Sequence, residues 1–255
     1  MSISTAIESL YVQPLKLKDF EGLTDFDKSV LSVSLYAQND LNTLSRFTIL
    51  SFHEDENPTI DSFRDAQLLW LLRHWSAKIF EFMAFLETVQ ADSEFVHSSC
   101  FVAVSKAIRE LDEIYQSIDV KISRTMRHET TNHYSLKAAK KNAKHLSPDH
   151  DCSFYMHDLG GNSLFKLGNA VCFDGRISRI LGADQDEKST ELVMEWFKYD
   201  KSCDRVVAQL VDDLLVSLLS NEQKKKIRKR AFWINPKLVG STNEGRIPLF
   251  LRNEP

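Results

Sequence analysis

Apolar residues recur along this chain at intervals of three and four, the period of helices buried on one side. In "DFDKSVLSVSLYAQNDLNTLSRFTILSF" (25–52), Val30, Leu31, Leu35, Leu41, Leu44 and Phe47 fall on one stripe. Asn57 is placed to cap a second helix, and Pro58 to begin it with a φ already suited to the first turn. The run that follows, "SFRDAQLLWLLRHWSAKIFEFMAFLETVQ", is apolar on nearly every side, which predicts the central, most buried helix. Phe101, Val104, Ile108, Leu111, Tyr115, Ile118 and Ile122 predict a third helix with a packed seam. Two more are expected in "TELVMEWFKY" and "DRVVAQLVDDLLVSLLSN", the latter with Val206, Val207, Leu210, Leu214 and Leu218 on one face.

Residues 146–187 break this period and hold most of the glycines. They read as loops with a short hairpin, its strands drawn from "SLFKLG" or "AVCFDGRI". The tail from Phe232 reads as irregular. The expectation is an all-α fold, a helical bundle of about five to seven helices in a single domain 1–255, interrupted by an irregular insertion at 146–187.

The chain has 255 residues, 43% of them hydrophobic and 27% charged, as in an ordinary globular protein. A net charge of −4 argues against a protein that coats nucleic acid generically, so any polyanion must meet a local basic patch. Cys100, Cys152, Cys172 and Cys203 form no CxxC pair and fit a reducing compartment. The amino terminus lacks a signal-peptide pattern, and no apolar run approaches the roughly 18 residues of a membrane span. A cytoplasmic location is expected, with no membrane contact.

The chemistry concentrates in "MRHETTNHYS" (126–135). A zincin helix needs HExxH, which places two imidazoles on one face. Here His128 and His133 stand five residues apart, about 140° around a helix. The nearby His145, His150 and His157, with Asp149, Asp151 and Asp158, scatter through a loop without ligand spacing. No metal and no other cofactor is expected.

Arg127, a polar His128 and then His133 instead make "RHETTNH", which resembles the Rx4-6H signature of the HEPN superfamily (higher eukaryotes and prokaryotes nucleotide-binding domains). The resemblance covers seven residues. It implies an α-helical bundle, here a core at about 25–145 joined by carboxy-terminal helices at 188–230, commonly homodimeric, with the motif at the bundle's cleft. It also implies a metal-independent endoribonuclease of toxin–antitoxin or phage-defence systems, with Arg127 and His133 as the catalytic pair, His128 auxiliary, and an antitoxin protein as a further partner. The residue types suit that reaction. Histidine exchanges a proton near neutral pH, and arginine matches the phosphorane's oxygens with forked donors. The alternative is a non-catalytic helical dimer that binds RNA, nucleotide or a partner protein.

Around the motif, Lys121, Arg124, Arg127, Lys137, Lys140, Lys141 and Lys144 are set against Glu129 alone, an electropositive strip suited to RNA phosphates. Arg124, Lys137, Lys140, Lys141 and Lys144 are the expected phosphate contacts, and Tyr134 the aromatic for base stacking. A solvated helix face would account for the lysines equally. The run "KKKIRKR" (224–230) reads either as a binding patch or as a complement to the carboxyl end of the preceding helix. Arg176 and Arg179 are candidates for phosphate contact.

Overall fold

Long amphipathic runs free of interior glycine and proline become long helices. In the computed structural model, residues 6–52, 57–117, 135–156, 158, 163–181, 186–225 and 228–234 are described. The chain is an all-α helical bundle with two small two-stranded sheets. Helix α1 spans Asp25–Leu50, α2 Pro58–Ala91 and α3 Phe101–Ser117. The Thr24 hydroxyl accepts from the Asp27 amide at 3.0 Å and caps α1. The Asn57 side chain likewise accepts from the Thr59 amide at 3.0 Å, so α2 starts where its cap and proline place it.

Helix α4 covers Leu136–Asn142, followed by a 3-10 turn at Ala143–His145. Strands β2 (Phe154–Tyr155) and β3 (Leu164–Phe165) pair antiparallel; β3 falls in "SLFKLG" as expected, whereas β2 comes from "SFYM", a stretch not expected as a strand. The irregular stretch then ends earlier than expected. Helix α5 (Lys166–Asn169) continues into a π-helix at Ala170–Asp174 and then α6 (Gly175–Leu181), so "AVCFDGRI" is helical and not a strand.

Asp186–Leu218 is one helix, α7, where two were expected. The polar stretch at Tyr199–Lys201 reads as a break, yet Tyr199 and Asp200 are buried. Asp200 Oδ1 accepts from the Ser76 hydroxyl at 2.7 Å, so one of its oxygens finds a partner inside the helix packing. The tail is also more regular than its pattern suggests. After α8 (Asn221–Lys224), β4 (Arg228–Ile234) pairs antiparallel with β1 (Ala6–Val12), with Glu8 opposite Phe232.

The chain divides into two compact units, to both of which α1, α2 and α7 contribute residues. In the first, Val30, Leu41, Ile79, Leu86, Val104, Leu210 and Leu214 are fully buried, each worth roughly 1.5–3 kcal/mol over exposure. The α7 face holds as its pattern implies, since Val206, Val207, Leu210, Leu214 and Leu218 are all buried. Buried Gln38 interrupts the α1 stripe and donates to Asp204 Oδ1 at 3.2 Å. Burial, followed by Asp27, pushes the Cys100 thiol far above its ordinary range, which makes it an inert packing group. Lys224 Nζ donates to the Val216 carbonyl at 2.6 Å, so this end of the basic run does complement the carboxyl end of α7.

In the second unit Leu72, Trp75, Trp196, Tyr199 and Ile177 make the core, and Phe173 stacks on Trp196 at 6.2 Å. Phe47 departs from its expected stripe and is 54% exposed, because Thr48 takes the buried position beside it. Tyr155 turns the hairpin's inner face to Phe63 of α2, with ring centres 6.0 Å apart.

A Cβ at Gly175 would stand 2.5 Å from the carbonyl oxygen of Asn142, whereas one at Gly168 would meet nothing. Gly175→Ala is expected to lower stability by about 1–3 kcal/mol, because the obstacle is backbone. Gly168→Ala, inside α5, should leave stability unchanged or raise it by up to about 1 kcal/mol. Urea denaturation of the two variants checks the contrast.

Candidate functional site

Arg124, Arg127, His128, His133 and Tyr134 lie outside the described residues. Lys137, Lys140, Lys141 and Lys144 lie within them, and α4 determines how they are displayed. The Ser135 hydroxyl caps this helix by accepting from the Ala138 amide at 3.1 Å. The inner side of α4 packs on the π-helix and α6. There Asn142 is buried, its Oδ1 accepts from Arg179 Nε at 3.0 Å, and its carbonyl abuts Gly175.

That anchoring turns the other side outward. Lys137, Lys140, Lys141 and Lys144 are all exposed, and their steps of three and four place them along one edge. Among the described residues, no carboxylate comes within ion-pair distance of any of them. Like charges at these spacings repel one another along a helix. Lys140 and Lys141 are partly relieved by the carboxyl end of α4, in whose last turn they sit. Among the described residues these lysines therefore present positive charge without an ion-pair partner.

On the same packed elements, His150 Nε2 lies 3.1 Å from Asp174 Oδ2, a carboxylate presented by the last residue of the π-helix. Burial pushes the Asp174 carboxyl above its ordinary value, and the His150 ring draws it back. Lys166, then the Ser153 hydroxyl and amide, holds Asp151 well below the usual carboxylate range. The Asp151–Lys166 contact is 2.5 Å. Among the described residues, no group of three or more His, Cys, Asp or Glu side chains converges as a metal site. His150 and Asp151 are engaged by the partners just named.

Arg176 is fully buried, so of the two arginines considered for phosphate contact it turns inward, while Arg179 is committed to Asn142. Deep in this unit Trp196 Nε1 donates to Ser76 Oγ at 2.6 Å, and the hydroxyl in turn donates to Asp200 Oδ1.

The arrangement therefore offers a half-exposed imidazole–carboxylate pair able to move a proton, and a lysine edge able to hold phosphates. The pattern of the chain reveals the lysines but not the pair, whose members stand 24 residues apart and meet through a π-helix. The chain matches no family model, no curated protein and no solved structure.

Ser76 joins the Trp196 donor to the Asp200 acceptor in a buried setting. Ser76→Ala is expected to cost about 1–3 kcal/mol, the penalty for leaving such groups without a partner. Chemical denaturation monitored by tryptophan fluorescence measures it.

Proposed function

We propose that the protein is a metal-independent endoribonuclease of HEPN type, acting as a cytoplasmic toxin or phage-defence effector. The observation that carries this reading is Arg127 and His133 in "RHETTNH", within an all-α chain, closely followed by four exposed lysines free of carboxylate partners among the described residues. His133 removes the proton of the 2′-hydroxyl, Arg127 spreads its donors over the charge that grows on phosphorus, and His128 assists as a polar neighbour. The need for a 2′-hydroxyl restricts the substrate to RNA. The lysine edge holds the strand on either side of the cut, and Arg124 and Tyr134 extend that contact.

A homodimer is part of the proposal, since two protomers bring two guanidinium groups to one scissile phosphate. An antitoxin protein that covers the motif is the natural brake on such an enzyme.

Purified protein incubated with single-stranded RNA in EDTA is expected to release fragments with 2′,3′-cyclic phosphate ends. Arg127→Ala and His133→Ala should each lower the rate by about 10²–10⁴-fold with binding retained. RNA that is bound and left intact by the wild type would instead make this a non-catalytic binding module, and cleavage abolished by EDTA would make it a metal enzyme.

The lysine edge has its own signature. Changing Lys137, Lys140, Lys141 and Lys144 together to Gln should flatten the plot of log affinity against log salt, by about 0.7 for each phosphate that is no longer neutralised. Fluorescence anisotropy with a labelled oligoribonucleotide reads that slope.

A further inference from the structure

We propose that the ribbon of β1 and β4 is a binding surface for single-stranded nucleic acid, in which Tyr11 stacks on a base and Arg228, Lys229 and Arg230 hold the flanking phosphates. The inference uses none of the residues of the ribonuclease reading and is independent of it.

The basic run "KKKIRKR" divides in the structure. Lys224 is committed to the carboxyl end of α7, where its Nζ donates to the Val216 carbonyl. Arg228, Lys229 and Arg230 lie in β4 and are exposed. Among the described residues, no carboxylate lies within ion-pair distance of any of the three. Successive side chains of a strand turn to opposite faces, about 3.4 Å apart along it. Among the described residues β4 has β1 as its one neighbour, so three consecutive cations project on both sides of an open edge. A flexible polyanion that follows this edge meets all three.

Tyr11 decides which polyanion. It stands opposite Lys229 in the register, and the ammonium lies over its ring, 6.0 Å from the centre. Tyr11 is 75% exposed, so its ring covers no core. An unpaired base stacks on such a ring and leaves its phosphate within reach of the neighbouring ammonium. An acidic peptide would satisfy the cations and leave the ring unused, and the bases of a duplex are already stacked on one another.

The base of the ribbon is fastened and adds charge. Gln13, directly after β1, donates from Nε2 to the Gln223 carbonyl at 3.1 Å, and Gln223 Nε2 donates to the Asp19 carbonyl. These bonds hold the 3-10 turn at Leu17–Phe20 against α8, which leads into β4. Lys16 and Lys18 are exposed at this turn. Of the acids nearby, Asp19 Oδ2 accepts from the Lys16 amide at 2.7 Å, Glu21 closes the turn, and Glu8 lies farther along the ribbon opposite Phe232. Cations outnumber acids on the ribbon and its base.

The test uses the full chain and a fluorescently labelled oligothymidylate, which lacks the 2′-hydroxyl that the proposed cleavage needs. Anisotropy is measured over a salt series, in the wild type and in a background with Lys137, Lys140, Lys141 and Lys144 changed to Gln. That background separates the ribbon from the lysine edge of α4. Changing Arg228, Lys229 and Arg230 together to Gln is expected to flatten the plot of log affinity against log salt, by about 0.7 for each phosphate released. Tyr11→Ala should weaken binding about 5–150-fold with the slope unchanged, and Tyr11→Phe should bind as wild type does. All four side chains are exposed, so the variants should keep the wild-type circular dichroism.

A duplex of the same length should bind less tightly than the single strand, and Tyr11→Ala should not alter its affinity. Wild-type affinity and slope in the triple variant overturn the proposal. So does a triple variant that binds weakly while Tyr11→Ala binds normally, since the surface then reads charge alone and fits an acidic protein. Neither result bears on whether RNA is cut.

Discussion

The display of the second unit's surface depends on one close approach between backbones, Gly175 at the start of α6 against the carbonyl of Asn142 at the end of α4. A helix as short as α4 is marginal in water and holds its shape through what it packs against. The packing here is unusually tight, and the Arg179–Asn142 hydrogen bond reinforces it on the side-chain level. With the inner side pinned, the lysine side has only one direction to face. The same wedge ends the π-helix at Asp174, so the orientation of a carboxylate and the exposure of four cations follow from the absence of one methyl group.

Long polar interruptions in apolar runs usually mark helix ends, and Asp200 shows how a buried partner reverses that inference. A carboxyl group in a core is costly unless it is hydrogen-bonded. Ser76 supplies one such bond from α2, a helix far away in the chain, and Trp196 backs it one turn earlier along α7. A local pattern carries no trace of a partner 124 residues away. The long helices, their caps and the α7 face were legible because they depend on neighbours within a few positions. The single continuous α7 was not, and neither was the β1–β4 pairing, which joins the two far ends of the described chain.

The functional residues divide along the same line. Lysines at steps of three and four announce a helix edge whatever that helix packs against. By pattern alone His150 is one polar residue in an acidic loop, and Asp174 is part of a strand. Their meeting requires a π-helix, for which the stretch from Ala170 to Asp174 offers no distinctive pattern, and a glycine whose role is close approach rather than flexibility. Glycine density in 146–187 suggests irregular backbone, yet Gly168 and Gly175 both lie in helical segments. Glycine reads as a breaker in a local pattern, whereas Gly175 serves here as a spacer.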